Sequence, residues 1–149
     1  MGKTALNFII VLMAAIFPEF LDFAESSLVL RLFANDLTPT GEETFTAFEE
    51  VRGGGYAPQP LRASSWTVLP APTVRMVEAA AEAGHTLNPE TPIALYPRTA
   101  FAFTGNAGEV YGYFLTQEGI VVRAERFPDG PYTILRDGED IKVSLTIQG

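Results

Sequence analysis

Few side chains in this sequence combine the type and spacing that chemistry requires. His85 is the single histidine; it follows Gly84 in a polar stretch with no cysteine or second histidine to share a metal. It reads as a surface loop residue rather than a general base. Asp137, Glu139 and Asp140 gather around Gly138, an oxygen set that suits calcium, yet the spacing is not that of an EF-hand loop. Asp/Gly-rich hairpin turns produce the same cluster. Glu109 and Glu125 are a carboxylate pair of the kind glycoside hydrolysis uses, in a chain whose 18 acids offer many equivalent pairs. Gly53-Gly54-Gly55 lacks the Lys and Ser/Thr that complete a phosphate loop and points to close backbone approach or unusual dihedrals. Tyr56, Tyr96, Tyr111, Tyr113 and Tyr132 offer an aromatic sugar platform or, more simply, packing surface. Arg123 and Glu125 alternate on one strand face, either solvated or paired across a sheet. No nucleophile–base pair, metal cluster or phosphate loop emerges, so no catalytic, metal or cofactor residue is assigned, and the expected class is not an enzyme.

The elements that must position these residues are mainly strands. Residues 110–147 alternate short period-two segments with Gly and Pro turns, the pattern of an antiparallel sheet. In the last segment Ile141, Val143, Leu145 and Ile147 share one face, with Lys142, Ser144 and Thr146 on the other. Gln117-Glu118-Gly119 reads as a three-residue hairpin loop, and Asp129-Gly130 and Asp137-Gly138 as the next turns. Leu28, Leu30 and Leu32 line one face of a first strand. The acidic stretch 42–50, interrupted by Phe45 and Phe48, reads as a short helix or an extended arm. One or two short strands follow over residues 56–69, with Trp66 buried. Residues 73–83 are the best internal helix candidate, with Thr73 as N-cap and Gly84 as C-terminal stop, although Thr-Val-Arg-Met-Val also alternates like a strand. Strand character returns over residues 93–103, placing Phe101 and Phe103 on one face. Strands at this spacing imply a β-sandwich or jelly roll.

Composition sets the outer limits. A chain of 149 residues, 47% hydrophobic, suits one folded domain with a real core. A net charge of −8 with scattered basic residues argues against nucleic acid. With no cysteine, disulfides, thiolate metal sites and cysteine nucleophiles are excluded.

Residues 4–17 carry no charge. They fall short of the ~20 apolar residues of a membrane span, and Pro18, Glu19 and Asp22 close the run. As a signal peptide they would use Lys3 and the apolar stretch 5–17, but no small-x-small cleavage site follows. Leu6, Ile9, Ile10, Met13, Ile16 and Phe17 recur at helical spacing, and burying each contributes about 1.5–3 kcal/mol. The leading reading is therefore a packed helix or arm over residues 1–26, covered by the sheet of the 27–149 domain or by a neighbouring subunit.

Leu32-Phe33-Ala34-Asn35-Asp36-Leu37-Thr38-Pro39-Thr40 resembles the opening of a group of small tailed-bacteriophage structural proteins. Gly54-Gly55-Tyr56-Ala57, Trp66-Thr67-Val68, residues 96–103 (Tyr-Pro-Arg-Thr-Ala-Phe-Ala-Phe), Val110-Tyr111-Gly112-Tyr113-Phe114, Ala124-Glu125-Arg126-Phe127, Gly130-Pro131-Tyr132 and residues 138–143 follow the same pattern in order. The pattern is departed from in the N-terminal apolar segment and over residues 70–92. The resemblance implies a virion component, not an enzyme. A head decoration (cement) protein that forms trimers and contacts the major capsid protein or other virion proteins is expected, with no cofactor, nucleic acid or membrane partner. The alternative is a carbohydrate-binding or adaptor module of a tail fibre or baseplate. The expected contact residues are Leu6, Ile10, Met13 and Phe17 of the arm, with Tyr111 and Tyr113 as exposed aromatics.

Overall fold

A computed structural model describes residues 28–82 and 84–148. The expected apolar arm, with Leu6, Ile10, Met13 and Phe17, lies outside the described residues. The described chain is mainly β: β1 (Leu28–Phe33), β2 (Gln59–Leu61), β3 (Thr67–Leu69), α1 (Val74–Glu82), β4 (Ile93–Ala102), β5 (Gly108–Val110), β6 (Gly112–Gln117), β7 (Ile120–Arg126), β8 (Tyr132–Ile134) and β9 (Asp140–Gln148). The strands form sheets of order β2-β1-β6-β7, β3-β4-β9 and β5-β8, with antiparallel pairing in each.

Two compact units divide this chain, one of residues 28–61 and 98–143, the other of residues 62–97 and 144–148. In the first, Leu28, Leu30 and Leu32 are buried on one face of β1, as their alternation predicts. Phe33 of the opposite face packs with Phe48 and Phe114. Phe48 lies flat on Phe114, centroids 4.5 Å apart and planes 6° apart, while Phe45 meets Phe114 edge-on at 5.6 Å. The acidic stretch is thus an extended segment with one 3-10 turn at Phe45–Ala47, not a helix. Aromatic side chains at Phe45 and Phe48 fold it onto the sheet, which local acidic composition alone does not reveal.

The triple glycine has the predicted dihedrals, φ +81°, +62° and +75°. The Thr104 N–H donates to the Gly54 carbonyl at 2.8 Å, and a Cβ at Gly54 would stand 2.7 Å from the Gly105 carbonyl oxygen. Only glycine fits such an approach.

In the second unit Trp66 is buried, as expected, and meets Tyr96 edge-on at 5.0 Å. The Gln148 amide fastens the end of β9 to the 88–91 loop: its oxygen accepts from Asn88 N–H at 2.6 Å, and its nitrogen donates to the carbonyls of Asn88 and Thr91. Helix α1 has both sequence-predicted ends. Thr73 Oγ1 accepts from Met76 N–H at 3.1 Å. Gly84 (φ +85°) closes a Schellman pattern in which Gly84 N–H donates to Ala81 and His85 N–H to Ala80. No residue of the helix is fully buried, and Met76, Val77 and Ala80 are its partly covered positions.

The β6–β7 loop differs from the sequence expectation. Gln117 pairs with Ile120, so the loop has two residues, Glu118 and Gly119, at φ +52° and +83°. This is a type I′ turn, whose twist matches the strands and which favours Asn-Gly. Glu118 occupies a left-handed position that penalises most side chains by about 1–2 kcal/mol. Glu118→Asn is expected to raise stability by about 0.5–1 kcal/mol. Urea unfolding with an unchanged m-value checks this; no shift in midpoint would refute it.

Candidate functional site: polar clusters of the four-stranded sheet

The polar side chains with chemical potential gather at two places in the first unit, both on the β2-β1-β6-β7 sheet. At the β6–β7 ladder Tyr113 stands opposite Glu125, and Leu115 opposite Arg123. The Tyr113 hydroxyl donates to Glu125 Oε1 at 2.5 Å and accepts from Arg123 Nε at 3.2 Å. Arg123 Nη2 lies 3.6 Å from Glu125 Oε2, closing the triangle. Arg123 and Glu125 therefore pair with each other along β7, and each reaches across the ladder to Tyr113. Tyr113 itself is a correction: expected as an exposed aromatic, it is only 5% exposed, because β6 is an inner strand buried on both faces. Burial holds its phenol well above the ordinary value; the Arg123 charge opposes this and the Glu125 charge adds to it. A phenol so placed stays neutral and bridges the two charged side chains through its hydroxyl.

No short motif marks the second cluster. Arg31 on β1 donates through Nε to Thr116 Oγ1 at 3.0 Å and through Nη1 to both Glu50 oxygens at 3.1 and 3.2 Å. Its guanidinium also lies over the Phe45 ring at 5.2 Å. The Tyr56 hydroxyl donates to Glu50 Oε2 at 2.6 Å and accepts from Leu32 N–H at 3.1 Å. Burial, followed by the Glu50 hydrogen bond, raises the Tyr56 pKa far above its usual value. An open depression of about 430 Å³ adjoins this cluster, lined by Phe45, Glu50, Arg52, Tyr56 and Pro58 among others. The available signal is Arg31 itself, the one charge in Leu-Val-Leu-Arg-Leu-Phe; four acids of the 42–50 stretch compete as its partner.

The remaining candidates separate by neighbourhood. Half-buried Tyr111 donates to Glu109 at 3.1 Å and lies beneath Arg126, whose guanidinium is 5.1 Å from the ring centroid. Arg126 also pairs with Asp36 at 2.5 Å, an exposed contact of little energetic weight. Glu109 and Glu125 are thus each engaged by a different tyrosine. Tyr132 packs on Phe127 at 5.1 Å, and the Tyr96 hydroxyl accepts from Arg62 N–H at 2.8 Å in the other unit. Each of the five tyrosines has its own packing role. His85 is exposed in a loop, as read from the sequence.

Of the suspected calcium cluster, Glu139 caps its own turn: Oε1 accepts from Leu135 N–H at 2.7 Å and Arg136 N–H at 3.0 Å. Asp140 lies 3.7 Å from Lys142 Nζ. Compared with known protein families, curated proteins and solved structures, the chain matches none.

Glu139 and Glu43 are the acid-sensitive turn locks. Glu43 takes the Thr40 and Gly41 N–H groups and the Thr40 hydroxyl. Backbone N–H donors, Thr40 for Glu43 and Leu135 for Glu139, lower both pKa values from the ordinary 4.5. A folded-state pKa below the unfolded one gives stability that is present above pH 4.5 and lost as pH falls through the folded values. Carboxyl NMR titrations should place both midpoints below 4.5, and Glu139→Gln should flatten part of the acid decline in Tm. Midpoints at or above the ordinary value would contradict these locks.

Proposed function

We propose that this chain is a structural protein of a tailed-bacteriophage particle, a capsid decoration (cement) protein that stabilises the head through subunit contacts. In this reading its strands form a β-sandwich or jelly roll, and its partners are the major capsid protein and further copies of itself. The observation that carries it is the closure of the clustered polar side chains on one another. Arg31, Glu50 and Tyr56, like Tyr113, Arg123 and Glu125, spend their hydrogen bonds bracing the sheet. A protein with its reactive groups spent this way acts through its surface. That surface belongs to a chain of net charge −8, suited to basic patches on a partner, and the ordered resemblance over most of residues 28–147, residues 70–92 excepted, supplies the virion context.

One feature favours the tail-fibre or baseplate alternative. A second open depression, of about 520 Å³, sets Tyr132 beside Asp140 and Lys142, an aromatic with polar neighbours of the kind a sugar ring uses.

Purified protein added to particles that lack it should bind at hundreds of copies per head, read by quantitative mass spectrometry, and should raise the temperature at which heads release their genome. A few copies per particle, or glycan binding abolished by Tyr132→Ala, would replace the decoration reading with the alternative.

A further inference from the structure

The two edges of the four-stranded sheet are built differently. At one edge, β2 has three residues and carries Pro60; shortness and a missing N–H blunt it against further pairing. At the other, β7 runs for seven residues, Ile-Val-Val-Arg-Ala-Glu-Arg, with neither Pro nor Lys. Among the described residues no strand pairs with its outer side, and none of its residues is buried. The register shift opposite Leu115 and Thr116 leaves Val122 as a bulge. Beyond it the strand is regular from Arg123 to Arg126.

The direction of the backbone groups along this edge follows from the ladder. Phe127 N–H donates to the Tyr111 carbonyl at 2.9 Å, so Phe127 aims its backbone at β6. Alternation then turns Glu125 and Arg123 inward as well, and leaves the N–H and C=O of Ala124 and Arg126 pointing outward. An extended strand laid on this edge would find Ala124 as the centre of the free ladder.

We propose that a second copy of this chain pairs antiparallel along β7, about a two-fold axis at Ala124. The choice of occupant rests on charge complementarity within the strand. With Ala124 opposite Ala124 of the second copy, Arg123 falls opposite Glu125 and Glu125 opposite Arg123, giving two reciprocal ion pairs. These are the non-hydrogen-bonded positions, where side chains come closest, with Cα atoms about 4.5 Å apart. The Arg123 and Glu125 side chains retain 36% and 32% of their surface for this contact. An axis at Arg126 would instead set like charges against each other. Ala124 at the axis adds no bulk where the backbones meet. The contact is isologous and closes on itself, joining the two sheets into one of eight strands and leaving only the blunted β2 edges at its ends. It does not depend on the virion reading: a monomer in solution and a failed particle-binding test are separate outcomes.

Light scattering on the full chain, with Arg123→Glu and Glu125→Arg made separately, tests the pairing. Each single change puts like charges opposite each other and should halve the solution mass of the wild type. Mixing the two variants sets the introduced acid against the introduced base, in addition to the native pair, and should restore the full mass. An intramolecular role of Arg123 and Glu125 in holding Tyr113 cannot produce rescue by mixing. Should either variant fail to fold, Ala124→Pro removes one outward N–H from an edge residue and should give the same halving. A wild-type mass of one chain, an undiminished mass in the folded variants, or no recovery on mixing would overturn the proposal.

Discussion

The stack of Phe48 on Phe114 is the contact on which the first unit depends. Phe114 sits in the middle of β6, between β1 and β7, and its ring faces the side of the sheet that also carries Phe33. Laying Phe48 flat on it fixes the 42–51 segment across that face, and Phe45 adds an edge-on contact. Aromatic pairs of this kind contribute about 0.5–1.5 kcal/mol each beyond the area they bury. The geometric effect is larger than the energy. Once Phe48 is seated, the next residues run beside β1, where Ala34 N–H reaches the Glu49 carbonyl and Val51 N–H the Leu32 carbonyl. That places the Glu50 carboxylate against Arg31 and brings the chain to the tight Gly53–Gly55 passage.

Arg31 would otherwise be a liability. It faces the aromatic side of an inner strand, with only 21% of its side chain exposed, where an unpaired charge is costly. Glu50, Thr116 and the Phe45 ring together satisfy it, and Tyr56 completes the carboxylate's shell. Three separate segments therefore have to be in place before the charge is met. Tyr113, Arg123 and Glu125 make the equivalent brace on the other face, between strands adjacent in sequence. Both clusters tie strands to each other.

Local patterns in the sequence are readable wherever one strand face is buried and one exposed. Ile141, Val143, Leu145 and Ile147 of β9, like Leu28, Leu30 and Leu32 of β1, alternate because pleating forces them to. The Thr73 and Gly84 helix ends are legible because capping chemistry is local. Tyr113 is misplaced by the sequence because β6 is buried on both faces, so alternation carries no sign of which tyrosine is outside. The Arg31–Glu50 pair is invisible for another reason: its 19-residue separation is bridged by an aromatic stack that no short motif records. The hairpin loop is one residue shorter than its sequence suggests, since Gln117 is polar yet still pairs with Ile120.

Amide hydrogen exchange on Phe48→Ala tests the central role of the stack most directly. If the ring seats the segment, the Ala34 and Val51 amides, which bond across to Glu49 and Leu32, should exchange much faster than in the wild type. The Glu125 and Arg123 amides between β6 and β7 should keep their protection. Unchanged exchange at Ala34 and Val51, or an equal rise at all four positions, would contradict the account.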